Sequence, residues 1–243
     1  MRFDAPTFAR AWLSVAQASG VEKDLPVLNR TIAIEEYVHG VRLVATDRFI
    51  LLTAWVPNVD TDTDTEPQID EAPDRTVIAA DLDSRGKSLL NYVQALHSRA
   101  EKDGGYIEGS IPLRIMFDVR LPAGQDGDQS TLDGLEPLYT VFEVPDVEKV
   151  YLDVVQAEWL GWRTLVHGFV GEVTDKITLN PHMVERVAKV RRWSEGSLSW
   201  LFGGPDRVAL VDFVDSDPHV SGLVMPIRLL VDGEDPDPQD DAA

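Results

Sequence analysis

Apolar residues recur at helical spacing in three segments of the chain. Between Ala5 and Ser19, Phe8 and Trp12 share one face of a helix with the other apolar positions. The same spacing predicts two further helices, over Asp83–Lys102 and Pro181–Trp193. Asn180 precedes the last of these, and we expect it to be the N-cap because its side-chain oxygen can accept from an amide of the first turn.

Short apolar or alternating runs lie between these helices and predict strands. The predicted strands are Arg30–Tyr37, Val41–Thr46, Phe49–Val56, Arg75–Ala80, Leu113–Leu121, Leu138–Val144, Lys176–Leu179, Ser197–Phe202, Arg207–Phe213 and Leu223–Leu230. A unit of strand, helix and about three antiparallel strands therefore recurs along the chain. This pattern predicts an α+β fold with an internal repeat.

The repeat predicts two domains and a tail. The first domain covers residues 1–147, and a shorter second domain covers residues 148–231. Residues 232–243 are acidic and rich in proline, so we expect a disordered tail. Residues 150–169 fit either a short helix with strands or an abbreviated copy of the repeat, and periodicity does not choose between them.

The composition of the chain excludes several classes of protein. The chain has 243 residues and no cysteine, which excludes disulfides and thiolate metal sites. The first residues show no apolar targeting segment, and no apolar run reaches the roughly 20 residues that span a bilayer. We therefore expect a cytoplasmic protein that does not contact a membrane.

The net charge of −20 argues against a nucleic-acid partner, but the distribution of charge along the chain favours one. The three predicted helices hold nine of the 22 basic residues but only three of the 42 acidic ones. Such helices suit a phosphate backbone, with solvated helix faces as the alternative interpretation. The nine candidate DNA-binding residues are Arg10, Arg85, Lys87, Arg99, Lys102, Arg186, Lys189, Arg191 and Arg192.

Catalytic and metal sites find little support in the sequence. Gly86-Lys87-Ser88 lacks the earlier glycine of a phosphate-binding loop, because that position is Asp81. The acidic stretch at 58–74 lacks the glycine of a calcium loop. No nucleophile can be paired with a base, so we expect a protein that is not an enzyme and has no cofactor and no metal site.

Four segments of the chain carry a resemblance to a known family. They are "LVATDRFILL", which contains Thr46 and Asp47, "DLPVLNRTIAIE", "EVPDVEKV", and "ITLNPHMVERVAKV" followed by "GLVMPIRLL". The first resembles the Ala-Thr-Asp signature of the bacterial β sliding clamp, a processivity factor of DNA polymerase, and the others resemble clamp sequences in the same order along the chain. Two departures are clear, because Arg48-Phe49-Ile50 replaces the usual residues after Ala-Thr-Asp and the last domain is short.

The resemblance implies the DNA-clamp fold, with repeated strand-helix-strand units, inner helices and outer sheets. It implies a ring around duplex DNA, which binds without reading sequence, and contacts with polymerase and clamp loader through short peptides. The domains would resemble the second and third domains of the clamp, and six domains per ring would require a homotrimer. The compact form favours a phage protein, and the expected location is the bacterial cytoplasm or a phage-infected cell.

The resemblance also implies a pocket for partner peptides. Its expected residues are Thr46, Arg48, Phe49, Leu51, Pro145, Val150, Leu223, Met225, Pro226, Ile227 and Arg228, and Asp47 is expected to brace the turn. The alternative is a clamp-fold interaction module that does not encircle DNA and regulates replication or transcription.

Overall fold

A computed structural model describes the chain at residues 1–20, 26–61, 65–80, 88, 91, 95, 111–120, 138–144, 148–166, 169 and 177–227. The helices are α1 (Ala5–Val15), α2 (Arg163–Val166) and α3 (Pro181–Lys189), with single 3-10 turns at Ala16–Ala18, Pro26–Leu28 and Val190–Arg192. The strands are β1 (Arg2–Asp4), β2 (Thr31–Tyr37), β3 (Gly40–Thr46), β4 (Ile50–Pro57), β5 (Arg75–Ala80), β6 (Pro112–Val119), β7 (Tyr139–Val144), β8 (Glu148–Asp153), β9 (Glu195–Phe202), β10 (Ala209–Asp217) and β11 (Val220–Val224).

Local sequence signals account for the two longer helices. Asp4 caps α1 by accepting from the Thr7 amide at 3.1 Å, and a 3-10 turn extends the helix to Ala18. Asn180 caps α3 by accepting from the His182 amide at 2.9 Å, which confirms the predicted N-cap. Most of the helix predicted at 83–102 lies outside the described residues; Ser88, Asn91 and Ala95, which are described, are helical.

The strands form two antiparallel sheets. One has the order β1-β6-β7-β8, and the other has seven strands in the order β5-β2-β3-β4-β11-β10-β9. The predicted strand at Lys176–Leu179 is wrong for its described part, because residues 177–179 lie outside any strand. The amide of Ile227, just past the end of β11, donates to the Thr178 carbonyl of that segment at 2.8 Å.

The β4–β11 pairing joins strands from the two predicted domains into one sheet. Leu51 lies opposite Leu223, and Ala54 opposite Val220. The two backbones approach closely at Gly222, where a Cβ would lie 2.0 Å from the Leu51 carbonyl oxygen, so only glycine fits. β8 pairs with β7 across the expected boundary at 147/148. The division into two domains stays a prediction.

The main core lies between the two sheets, around α1. Phe8 and Trp12 are buried on this helix, and both rings contact Phe142 of β7, with ring centroids 5.0 and 5.2 Å apart. Val187 of α3 and Val190 after it belong to the same core, on the same side of the seven-stranded sheet. Both helices therefore cover one face of this sheet. No helix among the described residues is long and apolar enough to span a bilayer.

Candidate functional site

The turn after β3 is held by its own side chains. The Thr46 hydroxyl donates to the Ile50 carbonyl at 2.8 Å and accepts from the Arg48 amide at 3.1 Å. Asp47 Oδ1 accepts from the amides of Phe49 and Ile50, at 2.9 and 2.8 Å. These bonds satisfy four backbone groups within one turn, so Thr46 and Asp47 serve the backbone there.

Asp47 also ties this turn to helix α3. Its Oδ2 forms an ion pair with Arg186, and the two side chains are only 13% and 18% exposed. The Arg186 guanidinium donates further to the carbonyls of Gln17, at 2.8 Å, and Ser19, at 3.2 Å. Arg186 therefore joins α3 to the turn and to the end of α1.

The other predicted DNA-binding residues differ in their surroundings. Arg10 is bonded to Thr7 and forms an ion pair with Asp217 at 3.4 Å. Lys189 forms an ion pair with Glu185 at 2.9 Å. Two arginines in the turn after α3 are exposed and form no ion pair with the residues that the structure describes: Arg191 and Arg192. Four others lie outside the described residues: Arg85, Lys87, Arg99 and Lys102.

A cavity of 510 Å³ lies on the opposite face of the seven-stranded sheet, which we call the outer face. Its floor is a row of leucines that pair across the strands, each opposite the next. In order from β4 to β9, the row is Leu51, Leu223, Leu210 and Leu201. Because successive side chains of a strand point to opposite faces of the sheet, these leucines lie on the face away from the helices. The floor is thus an apolar groove four strands wide.

Trp162 forms one wall of the cavity. It lies just before α2, is 2% exposed, and packs on Ala33, Val44 and the leucine floor. Its indole Nε1 donates to Glu35 Oε1 at 2.9 Å. The segment that covers residues 154–166 therefore lies on the outer face of the sheet and shapes the cavity.

Buried Glu35 anchors that wall. Arg163 donates to both of its carboxylate oxygens, with Nη1 to Oε1 at 2.9 Å and Nη2 to Oε2 at 2.5 Å. Burial lowers the pKa of Arg163, but the hydrogen bonds and charge of Glu35 outweigh it and raise the pKa above the usual value. Burial also raises the pKa of Tyr37, with a further contribution from Glu35. The bidentate pair fixes α2 against β2.

The cavity has a polar end at His219. Nδ1 of this histidine lies 3.0 Å from Glu66 Oε2, and Nε2 lies 2.9 Å from Asp212 Oδ1. The bond to Glu66 raises the pKa of His219 to about 9, and the bond to Asp212 adds to this against the effect of burial. At neutral pH the ring is therefore a cation between two carboxylates. Beside it, the hydroxyls of Thr53 and Ser221 lie 3.1 Å apart.

Bacterial DNA sliding clamps are among the solved structures that share this architecture. A DnaN sliding clamp from Pseudomonas aeruginosa bound to griselimycin matches with a TM-score of 0.59 and 12% identity, over 94% of this chain and 65% of that one. The DNA polymerase III beta subunit from Thermotoga maritima matches with a TM-score of 0.58 and 14% identity, over 94% and 65% of the two chains. This chain has the fold of a bacterial sliding clamp.

The chain spans about 65% of the length of those clamps. No family model matches the chain, and no curated protein matches it in sequence. The likeness confirms the predicted α+β clamp fold, with inner helices and outer sheets.

The clamp resemblance placed eleven residues in one pocket, and the structure brings only some of them together. Leu51 and Leu223 lie side by side in the cavity floor. Val150 is buried in β8 opposite Phe142, in the other sheet. Pro145 and Arg228 lie outside the described residues.

The remaining predicted residues lie around the turn and the end of β11. Phe49 is 52% exposed and lines a separate depression on the helix side with Asp47 and Arg186. Its carbonyl accepts from the Met225 amide at 2.8 Å. Thr46 is buried in the turn, and Arg48 is exposed beside it. Pro226 and Ile227 follow Met225 past the strand end.

Sequence reasoning missed the wall and the polar end of this cavity. Trp162 lies in the segment without periodicity, and only its aromatic character signalled burial. Glu66 lies far in sequence from Asp212 and His219, and no local pattern indicates that their side chains meet.

Proposed function

We propose that this chain is a DNA sliding clamp, a processivity factor that encircles duplex DNA and tethers DNA polymerase and clamp loader through short peptides. It would act without enzymatic activity, in a bacterial cytoplasm or a phage-infected cell. The observation that carries the proposal is the separation of two surfaces on one clamp fold. The helix face carries the exposed Arg191 and Arg192, and the opposite face carries the cavity.

The helix face supports contact with a phosphate backbone. Arg191 and Arg192 extend from the turn after α3, and Lys189 lies one turn earlier with its side chain 37% exposed. Arginine and lysine side chains at this spacing can neutralise phosphates without reading bases. Arg186 is held by Asp47 and by two backbone carbonyls. We therefore assign the main contacts to the cations at and after the end of α3, which are Arg191, Arg192 and Lys189, whose ion-pair partner Glu185 is exposed.

The outer cavity supports peptide binding. Its volume of 510 Å³ lies within the range of roughly 300–1,000 Å³ that is usual for ligand sites. Leu51 and Leu223 in its floor correspond to the positions that the clamp resemblance assigns to the peptide pocket. A leucine floor beside an aromatic wall would take aliphatic or aromatic anchors of a short linear peptide.

The ring would close as a homotrimer. The chain after β8 bridges to β5 through Val154 and Ala79, so the outer ends of the two sheets are β1 of the four-stranded sheet and β9 of the seven-stranded sheet. A terminal strand has an edge whose backbone groups can pair with another chain, so these two edges offer a head-to-tail contact. Sedimentation over a concentration series tests this: we expect a mass near three times 27.0 kDa. A monomer at all concentrations, with and without DNA, would contradict the trimer.

A second candidate is a clamp-fold interaction module that binds a partner protein and does not encircle DNA. Two observations favour it: the chain has about 65% of the length of the matched clamps, and Arg186 is held by Asp47. This candidate predicts a persistent monomer that binds peptides but is not retained on DNA with blocked ends.

A further inference from the structure

We propose that the outer cavity selects peptides in which an apolar anchor stands next to a lysine or arginine. The inference rests on the proposed peptide binding and adds the chemistry of the partner. The apolar floor accounts for the anchor, and an acidic rim at one end accounts for the basic residue.

Asp212 is the acidic group inside the cavity. Its Oδ1 accepts from His219, and its Oδ2 has no hydrogen-bond partner among the residues that the structure describes. The side chain is 48% exposed. It lies on β10, two residues after Leu210 and on the same face of the sheet. A peptide anchored on Leu210 would therefore bring its neighbouring side chain to this carboxylate.

The segment 65–74 is acidic and lies beside the cavity, with Glu66 and Glu71 lining a separate depression next to Tyr37 and Trp55. Ile69 of this segment lines the cavity, and four carboxylates surround it in sequence without a lysine or arginine. These are Glu66, Asp70, Glu71 and Asp74. The segment is fixed to the sheet, because Arg42 donates to the Pro67 carbonyl at 2.7 Å and pairs with Glu66 at 3.4 Å.

The two cations near the acidic rim already form ion pairs with carboxylates of this protein. His219 lies between Glu66 and Asp212, and Arg42 is 3% exposed beneath the segment. Asp70 and Glu71 are exposed. Carboxylates outnumber cations at this end of the cavity, with Glu66, Asp70, Glu71 and Asp212 against His219 and Arg42, so the net charge there is negative. A basic side chain would be attracted there, while an acidic one would meet like charges.

The test compares two synthetic peptides by fluorescence anisotropy at low salt. Both carry the same leucine and phenylalanine anchors, and they differ in one flanking residue, lysine or glutamate. We expect the lysine peptide to bind about threefold to fivefold more tightly, the range of one partly exposed charge pair. Added salt should reduce that preference.

Three variants locate the effect. Asp212→Asn should remove most of the preference for lysine, and Asp206→Asn, an exposed carboxylate before β10, should keep it. Leu201→Asp should weaken both peptides, and it is expected to fold because Leu201 is 52% exposed. Equal binding of the two peptides, or a preference that survives Asp212→Asn, would overturn the proposed basic selectivity but leave peptide binding intact. Failure of both peptides to bind would overturn the peptide site itself.

Discussion

Asp47 and Arg186 form an ion pair between the turn after β3 and helix α3, across 139 positions of sequence. Asp47 is also the acceptor that shapes its own turn, so one carboxylate serves both local and long-range structure. The pair, with the carbonyls of Gln17 and Ser19, connects the early and late parts of the chain on the helix side.

Replacing Arg186 by Ala should therefore destabilise the protein. The change leaves a mostly buried carboxylate without its partner, and we expect a loss of about 3 kcal/mol in the free energy of unfolding. Urea denaturation followed by circular dichroism measures it. Arg192→Ala, on the exposed turn after the same helix, is the matched control and should change stability by less than about 0.5 kcal/mol. Equal effects of the two substitutions would contradict the structural role of Arg186.

Arg48 holds a backbone conformation that suits glycine. Its φ is 79°, in the left-handed region, where a Cβ costs about 1–2 kcal/mol. Arg48→Gly removes that strain but adds freedom to the unfolded chain, so we expect a net gain of about 0.5–1 kcal/mol. Thermal unfolding should show a midpoint higher by about 2 °C. Arg48→Ala keeps the Cβ and should give no gain; a gain equal to that of the glycine variant would rule out backbone strain as the cause.

His219 should make stability depend on pH on the alkaline side. Its pKa is raised to about 9 by Glu66 and Asp212, above the ordinary value of 6.5 in the unfolded chain. The stabilisation is complete below pH 6.5 and is lost as pH rises towards 9, because the folded protein holds the proton longer. Urea midpoints measured between pH 6 and 9.5 should fall over that window, and His219→Gln should flatten the fall. An unchanged slope in that variant would remove His219 as its source.

Much of the fold follows from local patterns. The caps Asp4 and Asn180, and the apolar faces of α1 and α3, are short-range features that periodicity and side-chain chemistry reveal. The turn at Thr46 and Asp47 is predictable for the same reason, since those side chains bond to backbone groups three or four residues away. The β4–β11 pairing was not predicted, because nothing local in the sequence specifies which strands meet.

The candidate cavity was less predictable because distant residues build it. Glu35 looks like an outward polar position on β2, yet it is fully buried by Trp162 and Arg163, more than 120 positions away. The 154–166 segment lacks periodicity because it packs through single side chains on a sheet rather than through a helical face. Two leucines that the resemblance assigned to the pocket, Leu51 and Leu223, lie opposite each other on the paired strands β4 and β11, and their role in binding stays a prediction.

The central claim is that the protein encircles duplex DNA, and a topological measurement tests it most directly. The protein is allowed to thread onto a linear duplex, both ends are then blocked with biotin and streptavidin, and the complex is washed at high salt. In a parallel experiment, Lys189, Arg191 and Arg192 are all replaced by Ala. This variant should bind DNA more weakly at first, and the slope of log affinity against log salt concentration should fall by about one for each lost phosphate contact. The control variant Arg207→Ala, at an exposed position just before β10, should not lower initial binding or its salt dependence. For the native chain we predict retention through the high-salt wash and release when a restriction enzyme cuts the blocked DNA. Loss at high salt regardless of the blocked ends would contradict a closed ring.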